Sequence, residues 1–248
     1  MQKMNIIRLS ENTFLILFEQ VIDADNFSCI KTLVEKIKQT MANSLIDIIP
    51  SYASIHITFN LLTISGIDCK QQLEKLLIST DNDDENIQAT KVIEIPVYYG
   101  NEVALDLPYL AEKAQISERE VIEIHSSKVY DVYAIGFAPG FAYLGNVDQR
   151  IATARKETPR KKIASGSVGV ADQQTAIYPS ESPGGWQIVG RTPIQLIDYQ
   201  RENLSELAAG DRVKFMPITL TEYLHLGGTL PSESAANKGA INNTQGDA

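Results

Sequence analysis

Residues 136–193 hold 8 of the chain's 15 glycines and 5 of its 10 prolines. From Gly136 onward, short apolar segments are cut by Gly and Pro: residues 166–171, 175–178, 186–190, 194–198 and 212–217. Short strands with frequent turns read as a β-barrel or sandwich, not as a bundle. The same stretch carries seven Lys or Arg against four Asp or Glu and the only Trp, in a chain of net charge −9. A basic, glycine-rich island in an acidic protein is a place to hold an anion.

The first half has a different grammar. Residues 13–18 form a short apolar run. In residues 24–41, Ile30, Leu33, Val34, Ile37 and Met41 share one helical face. Residues 45–49 read as a strand that breaks at Pro50 and Ser51. In residues 53–59, Ala53, Ile55, Ile57 and Phe59 alternate with Ser54, His56 and Thr58, the period of a half-buried strand. Residues 67–78 read as a second amphipathic helix, 80–90 as an acidic loop and 91–97 as a strand. The order β-α-β-β-α-β is the ferredoxin-like arrangement, and it predicts a small α/β domain over residues 1–90. Further on, residues 106–115 read as a helix. Ser117 and Glu120 form a capping box, and residues 128–135 form a strand. The second domain spans residues 91–225. Residues 226–248 have almost no large apolar side chain and read as a flexible tail. The whole is an α+β chain.

Composition narrows the function classes. No apolar run reaches the ~18–20 residues that span a bilayer, so no membrane partner is expected. Nothing near residue 1 resembles a secretory signal, so Cys29 and Cys69 are expected as reduced thiols in a cytoplasmic protein. Three scattered histidines and two cysteines make a zinc site improbable, and the acidic balance argues against nucleic acid.

Within the island, Ser165, Gly166, Ser167, Val168 and Gly169 follow the basic run Arg160-Lys161-Lys162. Small residues allow close backbone approach, and successive N–H groups can form an anion nest; the same pattern also reads as a hairpin turn. Arg160, after Pro159, and Arg191, between Gly190 and Thr192, are candidates to clamp a carboxylate or phosphate. Tyr143 and Tyr178 each offer a polar tip to a pocket. His125, at a predicted helix end, is either structural or a general acid–base group. No nucleophile–base motif is present.

The segments GFAPGFAYLG (136–145), TPR (158–160), SGSVG (165–169), QTAIYP (174–179) and SPGGWQIVGRTP (182–193), with HSS at 125–127, resemble the family of 5-oxoprolinase B subunits. That family is also described as KipI-like or as allophanate hydrolase subunit 1. The resemblance runs from about residue 8 to 217, departing at Ala138, Ala142 and the pair Asp172-Gln173. It implies that a cyclophilin-like β-barrel follows the ferredoxin-like domain. It implies two partners, the KipA-like C subunit and the A subunit of 5-oxoprolinase. Their complex opens 5-oxo-L-proline to L-glutamate with ATP as cosubstrate. No bound organic cofactor is expected. On this reading Arg160 and Arg191 bind anions and the backbone of residues 165–169 stabilises developing charge. Ser165, Gly166 and Ser167 line the substrate, while Gln174, Tyr178 and His125 orient it or move protons. Two other readings are a KipI-like inhibitor of a sensor histidine kinase and a subunit for urea- or allophanate-type amide hydrolysis.

Overall fold

The computed structural model describes residues 4–19, 24–80, 92–201 and 204–231. Residues 81–90 of the acidic loop read at 80–90, and residues 232–248 of the expected tail, lie outside them. The chain is mixed α/β, with one small sheet and one large sheet that nearly closes on itself.

The first unit contains β1 (Asn5–Ser10), β2 (Thr13–Leu17), α1 (Ala24–Thr40), β3 (Leu45–Ser51), β4 (Ser54–Phe59) and α2 (Gly66–Thr80). Its antiparallel sheet has the order β1-β2-β4-β3. The period-two residues Ile55, Ile57 and Phe59 are buried from β4, against Phe14 and Ile16 from β2. The α1 stripe of Ile30, Leu33, Val34 and Ile37 covers them, with Cys69 and Leu73 from α2. This differs from the expected ferredoxin-like order in one element. The position flanking β2 is taken by the N-terminal strand β1, and the strand read at 91–97 leaves for the other sheet. Pro50 does not break β3, because β3 lies at the sheet edge, where a missing N–H donor is tolerated.

The second unit contains β5 (Val92–Val97), α3 (Leu107–Ala114), α4 (Glu118–Ser127), β6 (Val129–Ile135), β7 (Ala142–Gly145), β8 (Arg160–Ile163) and β9 (Ser167–Ala171). It continues with β10 (Gln174–Ile177), β11 (Ser182–Gly184), β12 (Gln187–Arg191), β13 (Arg212–Pro217) and α5 (Leu220–His225). Seven strands run in the order β12-β9-β10-β7-β6-β13-β5, and β8 pairs with β11 as a separate ribbon. The ring closes where Tyr98 and Arg191 exchange backbone hydrogen bonds of 2.9 and 2.8 Å. Residues 194–198, read as a strand, make a single bridge among the described residues, Ile197 to Ser205.

Alternation sorts side chains to the two faces of the large sheet. Val168, Val170, Leu144, Val132, Val189 and Phe215 belong to the main core, together with Val121 of α4. A second cluster of Phe141, Ile163, Ala171, Ala176, Tyr178, Trp186 and Ile188 forms from the other face and from the β8–β11 ribbon. Ser117 and Glu120 make the expected capping box on α4, and Thr219 and Glu222 make another on α5. After α5 the chain turns back: Gly228 N–H donates to Tyr223 C=O, and Tyr223 Oη donates to Thr229 C=O. Among the described residues no helix is long and apolar enough to cross a membrane.

Candidate functional site

Asp106, just ahead of α3, is the fixed point of the site. Its backbone N–H donates to Ile188 C=O at 2.8 Å, and its Oδ2 accepts from Ile188 N–H at 2.7 Å. Its Oδ1 accepts from Arg160 Nη2 at 2.8 Å and from Lys156 Nζ at 3.1 Å. Burial alone would raise this carboxyl. Hydrogen bonds from Arg160, the Ile188 N–H and Lys156, with the Arg160 charge, outweigh it and hold Asp106 below the usual carboxylate range. One carboxylate therefore faces two cations, and the cluster keeps a positive surplus. Arg160 Nη1 is buried and has no hydrogen-bond partner among the described residues. Gln187 donates through Nε2 to Ala154 C=O at 2.9 Å, and its Oε1 is likewise buried and unpartnered.

Aromatic rings adjoin this cluster. Phe141 packs against Tyr143 (4.8 Å), Tyr178 (5.3 Å) and Trp186 (5.7 Å between ring centres). Arg155 lies over the Trp186 ring at 5.5 Å. Burial raises the Tyr178 hydroxyl, opposed by the Trp186 backbone N–H and by the guanidinium groups of Arg155 and Arg160. The first unit reaches in as well. Tyr52, between β3 and β4, stacks on Tyr133 at 5.4 Å, meets Tyr143 edge-on at 6.4 Å and accepts a hydrogen bond from Gln174 Nε2 at 2.8 Å. Burial pushes the Tyr52 hydroxyl up strongly.

The other residues singled out in the sequence stand elsewhere. His125 is buried in the barrel core, stacked on Phe215 at 4.7 Å. Its Nε2 is 3.0 Å from Thr175 Oγ1, which itself donates to Gly169 C=O, so Nε2 carries the proton. Nδ1 then accepts from Tyr99 Oη at 2.9 Å. Burial lowers its pKa to about 3. With both ring nitrogens committed, the geometry gives His125 a structural part in place of the expected acid–base one. The anion nest at residues 165–169 is also taken up by the barrel: Gly166 N–H donates to Tyr178 C=O and Ser167 N–H to Ala164 C=O. Gly166 has φ +80°, and a Cβ there would sit 2.3 Å from Thr192 C=O, so this turn requires glycine. Ser165 Oγ donates to Pro179 C=O. Arg191 does not join Arg160; its Nε donates to Ser165 C=O and its Nη1 to Thr229 C=O, which straps the seam where the barrel closes.

Of the expected set, Arg160 and Tyr178 meet at one place, and Gln174 meets the same aromatic group through Tyr52. Asp106 and Lys156 carry no such mark in the sequence. Lys156 is one of six basic residues in 150–162, and Asp106 stands before Leu107-Pro108, where it reads as helix-start chemistry.

Residues 4–207 match the family described as carboxyltransferase domain, subdomain C and D. The B subunit of 5-oxoprolinase from Bacillus subtilis (strain 168) is 36% identical over 228 residues, which cover 88% of this chain and 94% of that one. The chain belongs to the family of 5-oxoprolinase B subunits. Among solved structures similar to this family member, the conserved uncharacterized protein PH0987 from Pyrococcus horikoshii is 38% identical. That alignment covers 88% of this chain and all of the other, with a TM-score of 0.53. The structure of TTHA0988 is 30% identical with a TM-score of 0.73. It aligns with 89% of this chain, but the aligned part spans only 41% of the TTHA0988 chain. The family match takes in the whole Asp106–Arg160 cluster and stops short of β13 and α5.

Proposed function

We propose that this chain is the B subunit of an ATP-dependent 5-oxoprolinase, acting only with its A and C partners to open 5-oxo-L-proline to L-glutamate. Its large sheet is read as the cyclophilin-like barrel of that family. The observation that carries the reading is the buried, unpartnered Arg160 Nη1 beside a cluster with surplus positive charge. A buried donor without an acceptor costs about 1–3 kcal/mol, which an incoming carboxylate relieves. 5-Oxoproline is a five-membered lactam with such a carboxylate. Asp106 presets the guanidinium, so little freedom is lost on binding. Tyr143, Trp186 and Arg155 give the ring methylenes an apolar wall beside a cation.

A lactam is a poor electrophile. ATP activates it when the γ-phosphoryl group passes to the lactam oxygen, leaving ADP. Water then adds at the lactam carbon and the C–N bond breaks as the nitrogen takes a proton, which leaves an acyl phosphate; a second water hydrolyses this to the side-chain carboxylate and inorganic phosphate. The part assigned to this chain is to bind the carboxylate and orient the ring. Proton transfer is not assigned to His125.

The test is ATP-dependent glutamate formation by the complex reconstituted with Arg160→Ala. Losing one charge-assisted contact of about 1.5–3 kcal/mol raises KM for 5-oxoproline on the order of 10- to 100-fold. Arg191→Ala, the seam control, lowers the melting temperature and leaves KM in place. An unchanged KM in a folded Arg160→Ala complex removes Arg160 from the site, and no glutamate from the wild-type complex removes the whole reading.

A further inference from the structure

The loop joining β6 to β7 contains an arrangement that folding does not explain. Ala138 N–H donates to Gly136 C=O at 2.8 Å, which makes a three-residue turn centred on Phe137 with φ +68°. A bulky side chain in this left-handed region is strained by roughly 1–3 kcal/mol. The ring that bears the strain is also 67% exposed. The loop is pinned on both sides: Gly136 N–H donates to Phe141 C=O and Phe141 N–H to Ala138 C=O. Gly140, at φ +71°, lies so close to Ile197 that a Cβ would sit 2.2 Å from its Cδ1. Strain and exposure at one aromatic residue, held in a fixed loop, both become intelligible if the ring is buried by something else.

The surroundings say what kind of thing. Gly140 packs on Ile197 and Ser205, the bridged pair that closes the next loop, and that loop projects Tyr199 (77% exposed) and Leu204 (49% exposed). Two adjacent loops thus present three large apolar side chains outward, a shape for a protein surface, not for a small molecule gripped from several sides. Beneath, Phe137 rests edge-on against Phe141 at 5.4 Å, and Phe141 is the ring shared by Tyr143, Tyr178 and Trp186. The exposed face is therefore continuous with the aromatic group beside Arg160. The charge speaks for a different protein over a second copy. A second copy would bring another −9 charges against the −9 of the first. In TTHA0988 the matching unit is joined in one chain to a longer stretch of further protein.

We propose that Phe137, with Tyr199 and Leu204 of the neighbouring loop, forms the docking face for the C subunit of the complex, with Phe137 as its anchor. This rests on the reading of the chain as one component of a 5-oxoprolinase. The experiment is calorimetric titration of the full chain with the purified C subunit, using wild type, Phe137→Ala, Phe137→Gly, Tyr199→Ala and Arg160→Ala. Phe137→Ala and Phe137→Gly weaken association on the order of 30-fold or more, as anchor aromatics do, and Tyr199→Ala weakens it less. Phe137→Gly melts at or above the wild-type temperature, because glycine relieves the φ strain, so its loss of binding is not unfolding. Arg160→Ala binds as wild type. Wild-type affinity in both Phe137 variants overturns the proposal and leaves the functional reading standing. So does a Phe137 variant that abolishes only self-association in sedimentation, or only raises KM. A Phe137-dependent complex that still makes no glutamate once the A subunit and ATP are added removes the functional reading and keeps the docking face. Absence of any association by the wild-type chain overturns both.

Discussion

At neutral pH the His125 ring carries no charge, because its buried position holds its pKa near 3 while an unfolded histidine titrates near 6.5. Below pH 6.5 the unfolded chain binds a proton that the folded chain refuses, so this residue removes stability as pH falls from about 6.5 towards 3. His125→Gln should lose about 1–3 kcal/mol at pH 7 by breaking the Tyr99–His125–Thr175 chain. It should also show a flatter stability profile between pH 6.5 and 4.5 in urea titrations; an unchanged slope would remove His125 as its source. The sequence marks this residue as chemically able but cannot show its surroundings: Thr175 is 50 positions away. Arg160 is legible as a fixed cation after Pro159, whereas Asp106, which aims it, lies 54 positions upstream with no shared pattern.

Elements are legible where local rules suffice. The capping box at Ser117 and the alternation in β4 need only a few neighbouring residues, and both are present. The ribbon strands β8 (RKKI) and β11 (SPG) have no apolar period; they exist because they pair with each other across the barrel's aromatic side. The turn into β9 shows how one residue decides an element. Gly166→Ala combines a left-handed backbone with a clash against Thr192 C=O, and it should cost about 2–3 kcal/mol as a lowered urea midpoint. A midpoint within error of wild type would mean that the seam between β9 and β12 has room to move.

The two units are joined by few but specific contacts. Tyr52 and Phe27 press on Tyr133, Gln174 donates to Tyr52, and Lys31 Nζ donates to Gly210 C=O. Tyr52→Ala removes the largest share, and calorimetry should then resolve two thermal transitions where the wild type gives one. A single transition at the wild-type temperature would place the coupling elsewhere. The division into an α/β unit and a barrel is readable from the change in pattern, but the destination of VIEIPV is not, because its alternation suits either sheet. Its choice of the barrel has a consequence for synthesis. The first unit is complete once residue 80 has been made, while β5 has β13 as its strand partner, ending at residue 217. At roughly 5–20 residues per second, the ribosome takes on the order of 10 s to supply that partner. Throughout that interval Ile93, Ile95 and Val97 hang on the nascent chain as an unpaired apolar edge, beside a neighbour that has already folded. The barrel is therefore the part of this molecule whose unpaired strand edge stays open to wrong pairing longest during translation.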